Sequence, residues 1–173
     1  MKIILIGHNI ELNNGWGVVA HNHALHLWRS RVDFDLLLPK TALVSVSIPY
    51  RDRVKNILPD LPLSFCSWKA PIFLLKFFSK VNYEFEDVSL IHALVDFPYG
   101  ALAGRLAKKN QLPLILSAIG TYSVLPLKKW PDRSLLLAAL RRAKLIISPS
   151  QFTAEKVGAA VNHDLSTKIM NLP

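Results

Sequence analysis

The chain has 173 residues, of which 51% are hydrophobic, so it can bury the core of one domain and is not disordered. Its single cysteine, Cys66, excludes an internal disulfide and favours a reducing compartment, which predicts a cytoplasmic protein. The net charge of +9 favours an anionic partner such as a phospholipid, a nucleotide diphosphate or a nucleic acid, although a plain solvated surface explains it equally well.

The first half of the chain predicts two strands, one helix and two weaker strand candidates. Ile3–Ile6 is a β-branched run typical of a central parallel strand, and it is too short for a signal peptide or a membrane span. A polar loop then leads to a helical pattern over Gly17–Arg29, and Phe34–Leu38 is the second strand. The weaker strand candidates, which prolines interrupt, are Thr41–Ile48 and Leu63–Ser67.

The second half alternates short apolar runs with helical patterns. The predicted strands are Val88–His92, Leu112–Ser117, Leu145–Ser148 and a last strand-like run over Lys168–Pro173. The predicted helices are Pro98–Lys109, Asp132–Arg142 and one that Ser150 opens as N-cap. Strands separated by single helices form βαβ units, so we predict one α/β domain over residues 1–173, a Rossmann-like three-layer αβα sandwich with a mostly parallel sheet.

A glycine loop follows the first strand, with the sequence Asn14-Gly15-Trp16-Gly17. A strand, a glycine loop and a helix start allow backbone N–H groups to approach a phosphate or carboxylate at the helix N-terminus. The loop matches neither the dinucleotide-binding fingerprint nor a P-loop. A glycine-permitted turn before an ordinary helix is the alternative interpretation.

Two further positions lie where a parallel sheet binds ligands, beyond the carboxyl ends of its strands. Gly120 permits a close backbone approach, and Thr121 and Tyr122 place hydroxyl groups beside it. Asp96 follows another predicted strand and is a candidate ligand for substrate hydroxyls, although an N-cap or first-turn charge for the next helix is a common use of aspartate. The sequence assigns no catalytic residue.

Three histidines, His21, His23 and His26, stand on the first predicted helix. No pair among them has the i,i+4 spacing that places two metal ligands on one helical face, and no acidic residue or cysteine lies nearby to complete a set. We therefore predict no metal site. Nothing close to Cys66 in sequence supports a nucleophilic role for it.

The segment Trp68–Lys80 mixes aromatic, apolar and basic residues, as does a helix that lies in a lipid headgroup interface. A buried core helix with snorkelling lysines is the alternative. Between Leu102 and Lys156 ten Lys or Arg residues face only Asp132 and Glu155, a surplus of 10 − 2 = +8. The predicted membrane-facing residues are Trp68, Lys69, Phe73, Lys76, Phe77 and Lys80.

Several short motifs stand in a recognisable order along the chain. They are Asn14-Gly15-Trp16-Gly17, His92-Ala93, Pro98-Tyr99-Gly100-Ala101-Leu102-Ala103, Pro113–Ser117, Gly120-Thr121-Tyr122, Ala143–Ser150 with Gln151-Phe152-Thr153, and Lys168–Pro173. In this order and spacing the chain resembles the N-terminal domain of a GT-B glycosyltransferase of the family 4 type. The resemblance runs from Met1 to Pro173 and is weakest over Thr41–Glu86.

The resemblance implies a retaining transferase of carbohydrate biosynthesis that moves a sugar from a nucleotide-sugar donor to an acceptor bound mainly by this half. The acceptor would be lipid-linked or a polysaccharide. Gly15, Trp16 and Gly17 would approach the donor diphosphate and the acceptor, and the loop at Gly120 would line the interdomain cleft. Such enzymes generally need no metal or other cofactor, and many act at a membrane surface, so the resemblance implies a cytoplasmic protein that is peripheral on the inner face of a membrane.

The chain departs from this family at two points. Members often have His immediately before the glycine that matches Gly120, where this chain has Ile119. The second domain, which binds the nucleotide and carries the paired glutamates, is not in this sequence. We therefore expect no activity from the chain alone and expect the other half in a longer chain or a separate protein.

Three other functions compete with this interpretation. A non-catalytic membrane-docking or acceptor-binding subunit of a split glycosyltransferase would need a catalytic partner. A sugar-nucleotide epimerase would share the same domain plan, and fold alone does not separate the two activities. A nucleic-acid-binding domain would suit the pI of about 9.9, but no recognition helix or RNP-like aromatic strand is present, so we predict no nucleic-acid partner.

Overall fold

The computed structural model describes residues 1–64, 81–161 and 169–171. Its strands form one seven-stranded sheet in the order β3-β2-β1-β4-β5-β6-β7, and every neighbouring pair is parallel. The strands are β1 (Lys2–Ile6), β2 (Asp33–Pro39), β3 (Val54–Leu58), β4 (Val88–Ala93), β5 (Leu114–Ser117), β6 (Leu145–Ser148) and β7 (Ile169–Asn171). The predicted parallel α/β sheet is confirmed.

Helices connect these strands along most of the described chain. They are α1 (Gly15–Arg29), α2 (Tyr99–Lys109), α3 (Thr121–Val124), α4 (Asp132–Arg142) and α5 (Gln151–Val161), with short 3-10 turns at Arg51–Arg53 and Pro126–Lys128. The predicted N-cap of α5 is confirmed, because the Ser150 hydroxyl accepts a hydrogen bond of 3.2 Å from the Thr153 amide. None of the described helices is long and apolar enough to cross a membrane.

The sheet buries both of its faces, which gives the three predicted layers. Leu5 of β1 packs with Ala20 and Ala24 of α1 in one cluster. Its neighbours Ile4 and Ile6 belong to a second, larger cluster, because successive side chains of a strand point to opposite faces. The helix residues of that second cluster include Leu102, Leu106, Leu136, Leu140, Val157 and Val161.

One of the two weaker strand candidates between β2 and β4 was wrong. Residues 41–48 form no strand, and the third strand is Val54–Leu58, which the sequence analysis missed. The polar pair Lys55 and Asn56 interrupts the apolar pattern that would predict this strand. The Asn56 side chain stabilises the region by donating hydrogen bonds to the carbonyls of Pro39 and Ala42. Of the other candidate, residues 63 and 64 are not in a strand and residues 65–67 lie outside the described part.

The chain reverses its direction of travel across the sheet at β1. It moves from β1 to β2 and β3 on one side, then passes to β4 on the other side of β1. At such a switch point the loops beyond the carboxyl ends of the two neighbouring strands run to opposite sides and leave a crevice between them. Here the crevice lies beyond the ends of β1 and β4.

Candidate functional site

A cleft of about 480 Å³ occupies the carboxyl edge of the sheet next to this switch point. It brings together the two loops that the sequence analysis singled out, the one that opens α1 and the one that follows β5. Its described lining residues are His8, Asn9, Asn14, Gly15, Trp16, Ile119, Thr121 and Tyr122. Five of these residues were predicted site residues. A sixth predicted residue, Gly120, lies between the lining residues Ile119 and Thr121.

Aromatic rings form one wall of the cleft. The centroids of the Trp16 and Tyr122 rings lie 4.5 Å apart, and their planes meet at 58°. The His8 ring lies 4.8 Å from Trp16, nearly perpendicular to it, and 5.5 Å from the ring of Tyr99. These separations are those of favourable tilted aromatic pairs, so ring contacts link α1, α2 and α3 with the loop after β1.

The two glycines at the start of α1 have different roles. A side chain on Gly17 would place its Cβ 1.9 Å from the Glu11 carbonyl oxygen, so glycine is required there because the polar loop crosses close to the helix. The Gly17 amide donates a 2.9 Å hydrogen bond to the Asn14 side chain, which caps α1. Gly15 is exposed, and a Cβ on it would meet nothing within 4 Å. Only Gly15 therefore leaves room for a ligand.

Gly120 stands at the turn between β5 and α3. Its φ is +72°, a backbone conformation that glycine adopts freely and that strains other residues. Its carbonyl accepts a 3.1 Å hydrogen bond from the Ser123 amide, which closes the first turn of α3. Because this turn ends β5 and starts α3, Thr121 and Tyr122 lie on the cleft wall.

Asp96 lies beneath the cleft and not on its surface. The carboxylate is fully buried, and it accepts a 2.8 Å hydrogen bond from the Phe97 amide and a second one from the Ser123 hydroxyl. Burial raises the pKa of Asp96 to about 7, although the backbone N–H groups of Phe97 and Ile119 act in the opposite direction. The suggested N-cap role was wrong, because Pro98 occupies the N-cap position of α2 without a side-chain hydrogen bond. Asp96 instead ties the loop after β4 to α3.

His8 and Asn9, directly after β1, also line the cleft, although no sequence motif marked them as site residues. Burial lowers the pKa of His8, so its imidazole is neutral at pH 7. His8 Nδ1 and Asn9 Oδ1 are buried without a hydrogen-bond partner in the described part of the chain. The rule that pointed to Asp96, a polar residue just past the end of a parallel strand, applies equally to these two residues.

The three histidines of α1 do not converge on one point. Tyr50 Oη lies 2.7 Å from His21 Nδ1, whereas the His23 ring lies 5.4 Å from the ring of His92. His92 Nε2 in turn lies 2.9 Å from the Ser117 hydroxyl, in a nearly buried position at the ends of β4 and β5. No group of three or more His, Cys, Asp or Glu side chains among the described residues could hold a metal ion.

The predicted membrane-facing segment and Cys66 lie outside the described residues. Seven of the exposed basic residues that follow form two groups. Lys128, Lys129 and Arg133 lie near the carboxyl edge, beside Trp130, which is 67% exposed. The other group lies near the amino edge, at the ends of α2 and α4, and its exposed members are Lys108, Lys109, Arg141 and Lys144.

No protein-family model and no curated protein matches this sequence. Solved structures do match its fold. HepE from Anabaena in complex with UDP superposes with a TM-score of 0.64 at 16% identity, over 99% of this chain and 43% of HepE. The UDP-N-acetylglucosamine 2-epimerase from Rickettsia bellii matches with a TM-score of 0.59 at 9% identity, over 99% and 44% of the two chains. The corresponding enzyme from Methanocaldococcus jannaschii gives 0.55 at 10% identity, over 99% and 45%.

This chain therefore spans less than half the length of the structures that it matches. At these identities the likeness shows the fold alone. The chain has the fold of one half of GT-B-like proteins, as the sequence analysis predicted, and UDP-GlcNAc 2-epimerases are among the proteins that share it.

Proposed function

We propose that this chain is the acceptor-side half of a GT-B glycosyltransferase, which transfers a sugar from a nucleotide-sugar donor to a saccharide or lipid-linked acceptor. The observation that carries the proposal is the position of the cleft, at the switch point of a parallel sheet and between the two loops that the family resemblance assigns to the interdomain site. The match over 99% of the chain to HepE, whose structures hold UDP and UDP-glucose, supports it.

The geometry of the cleft is compatible with a site that lies between this domain and a second one. Gly15 is exposed at the first residue of α1, so a ligand held by the second domain can approach the backbone there without meeting a side chain. The N-terminus of α1 carries the positive end of the helix dipole, which favours the negative charge that develops on a leaving diphosphate. The second domain would bind the nucleotide and supply the remaining charge compensation. A peripheral position on the inner face of a membrane remains part of this proposal.

The test uses the protein as its cell assembles it. The chain is tagged at its own chromosomal locus and purified with any chain it is joined to, and the product is incubated with nucleotide sugars and a panel of saccharide acceptors. We expect release of the nucleoside diphosphate that depends on the acceptor, and a Tyr122→Ala variant with at least tenfold lower turnover. A Trp28→Ala variant on the exposed side of α1 is the matched control and keeps full turnover.

The same assay separates the competing functions. An epimerase, which the likeness to UDP-GlcNAc 2-epimerases favours as the second candidate, would convert the nucleotide sugar to its epimer without any acceptor. A non-catalytic subunit would leave turnover unchanged in the Tyr122 variant while the joined chain remains active. Either result would overturn the transferase proposal for this cleft.

A further inference from the structure

The described lining of the cleft contains no charged side chain. Two asparagines, one threonine, one tyrosine, one tryptophan and one histidine contribute its functional groups, and no Lys, Arg, Asp or Glu is among them. His8 adds no charge, because burial lowers its pKa and leaves the ring neutral at pH 7. A buried or half-buried anion needs a cation or several donors to offset its desolvation. The described side chains of the cleft are therefore suited to an uncharged part of a ligand.

The N–H groups that could have held an anion are partly used within the protein. The Gly17 amide, which the sequence pattern offered to a phosphate, donates to Asn14 instead. Gly17 is also covered by the loop that carries Glu11, whose carbonyl oxygen occupies the space beside it. The start of α1 thus differs from a phosphate-binding glycine loop, in which successive amides face the ligand.

The aromatic wall defines the shape of the occupant. Trp16 and Tyr122 meet at 58° with 4.5 Å between their centroids, so two tilted rings line the cleft and form no parallel slot. A flat nucleobase stacks best in a parallel arrangement. A pyranose ring instead presents a face of C–H groups, whose partial positive charge suits the negative face of an aromatic ring, while its hydroxyls point outward.

Polar groups and volume fit the same occupant. Thr121 and Tyr122 contribute hydroxyl groups to the cleft lining, and Asn9 and Asn14 contribute side-chain amides. Hydroxyls and amides both donate and accept hydrogen bonds, as the hydroxyls of a sugar require. The volume of about 480 Å³ lies within the range of about 300–1,000 Å³ that small-molecule sites occupy.

We infer that this cleft binds the reacting residue of the acceptor as an uncharged sugar ring, packed by its C–H face against Trp16 and Tyr122. This inference rests on the proposed function and narrows its acceptor: the sugar that receives the transferred residue carries no phosphate and no carboxylate at the cleft. A lipid phosphate, a sugar phosphate or a uronic acid would place its charge against described side chains that carry none, with only the N-terminus of α1 to offset it, and the proposed function assigns that terminus to the donor diphosphate.

The test measures binding to the chain by ligand-observed saturation-transfer NMR. The probes are the methyl glycosides of glucose, galactose and N-acetylglucosamine, compared with methyl glucuronide, glucose 1-phosphate, inorganic phosphate and uridine. We expect saturation of the neutral glycosides, concentrated on the C–H protons of one ring face, and at least tenfold weaker signals from the charged probes. Tighter binding of a charged probe or of uridine, or no saturation of any neutral glycoside, overturns the inference.

Variants then place the binding in the cleft. Tyr122→Ala and Trp16→Phe should weaken the glycoside signal at least threefold, whereas Trp28→Ala on the same helix as Trp16 should leave it unchanged. Because Trp16 also packs against the core, a Thr121→Lys variant serves as a second probe at an exposed wall position. It should gain binding of methyl glucuronide. Circular dichroism checks that each variant is folded.

The result of this binding test can be distinguished from the result of the turnover assay that tests the proposed function. If the assembled protein turns over no nucleotide sugar while the chain still binds neutral glycosides through Tyr122, the cleft is a sugar site and the transferase proposal fails. If the assembled protein transfers sugar only to phosphorylated or uronic acid acceptors, the transferase proposal stands and this inference fails.

Discussion

The Ser123 hydroxyl donates a hydrogen bond to the fully buried carboxylate of Asp96, and this contact joins the loop after β4 to the helix after β5. The two residues are 27 positions apart in sequence. Ser123 follows Tyr122 directly, so the contact fixes the backbone that carries one of the two aromatic rings of the cleft. Asp96 therefore supports the cleft wall from beneath.

Asp96 should make the stability of the fold depend on pH. Burial raises its pKa to about 7, above the value of 3.8 for an exposed aspartate, so the folded state holds a proton that the unfolded state has lost over that interval. The free energy of unfolding should therefore be highest below pH 4 for this group and fall as pH rises from 4 to 7, by an amount on the order of 4 kcal/mol at most.

Urea unfolding at a series of pH values measures this dependence. Asp96→Asn keeps the side-chain shape and removes the titration, so the difference in stability between wild type and variant should change between pH 4 and 7 in favour of the variant. Asp87→Asn, which removes an exposed carboxylate, is the control for the loss of a charge alone. A constant difference between wild type and Asp96→Asn would show that Asp96 does not titrate in this range.

Gly17→Ala should destabilise the protein because the new Cβ would lie 1.9 Å from the Glu11 carbonyl oxygen and 2.5 Å from Asn9 Oδ1. The loop after β1 must move to make room, which costs about 1–3 kcal/mol for overpacking of this kind. Gly15→Ala is the matched control, since no atom lies within 4 Å of its Cβ, and it should change stability by less than about 0.5 kcal/mol. Equal effects in denaturant unfolding would contradict the assigned roles of the two glycines.

Gly120→Ala should affect the cleft through the backbone and not through crowding. A Cβ there would meet nothing within 4 Å, yet a φ of +72° costs a residue with a side chain about 1–3 kcal/mol. The turn can relieve that strain by moving Thr121 and Tyr122 away from α1. Intrinsic fluorescence of Trp16 in a variant that lacks the other tryptophans should shift on Gly120→Ala, and an unchanged spectrum with unchanged stability would contradict this account.

The parts of the fold that follow from strand and helix patterns could be predicted from the sequence. Ile3–Ile6 is apolar enough for a strand buried on both faces, and it became the central strand β1. The apolar run Leu145–Ser148 became the interior strand β6. Val54–Leu58 could not be found in this way, because its place beside β2 depends on hydrogen bonds from Asn56 that no local pattern encodes. Pairing with a distant strand overrides weak local preference.

The position of the candidate cleft was predictable from the sequence, but its detail was not. The rule that ligands bind beyond the carboxyl ends of parallel strands pointed to the loops at Gly15 and Gly120. The same rule pointed to Asp96, yet no sequence pattern tells whether a side chain past a strand end turns into the cleft or beneath it, and Asp96 turns beneath. The role of Gly17 depends equally on a crossing by the loop at Glu11, which only the folded chain reveals.

The contact between Trp16 and Tyr122 should stabilise the empty protein as well as its complex with a sugar. Tilted aromatic pairs at this separation contribute about 0.5–1.5 kcal/mol beyond the area that they bury. A double-mutant cycle with Trp16→Leu and Tyr122→Leu, measured by urea unfolding, should give a coupling energy in that range. Trp28→Leu combined with Tyr122→Leu should give none, since Trp28 lies at the far end of α1, where it is 44% exposed. Zero coupling for the first pair would contradict a stabilising contact between the two rings.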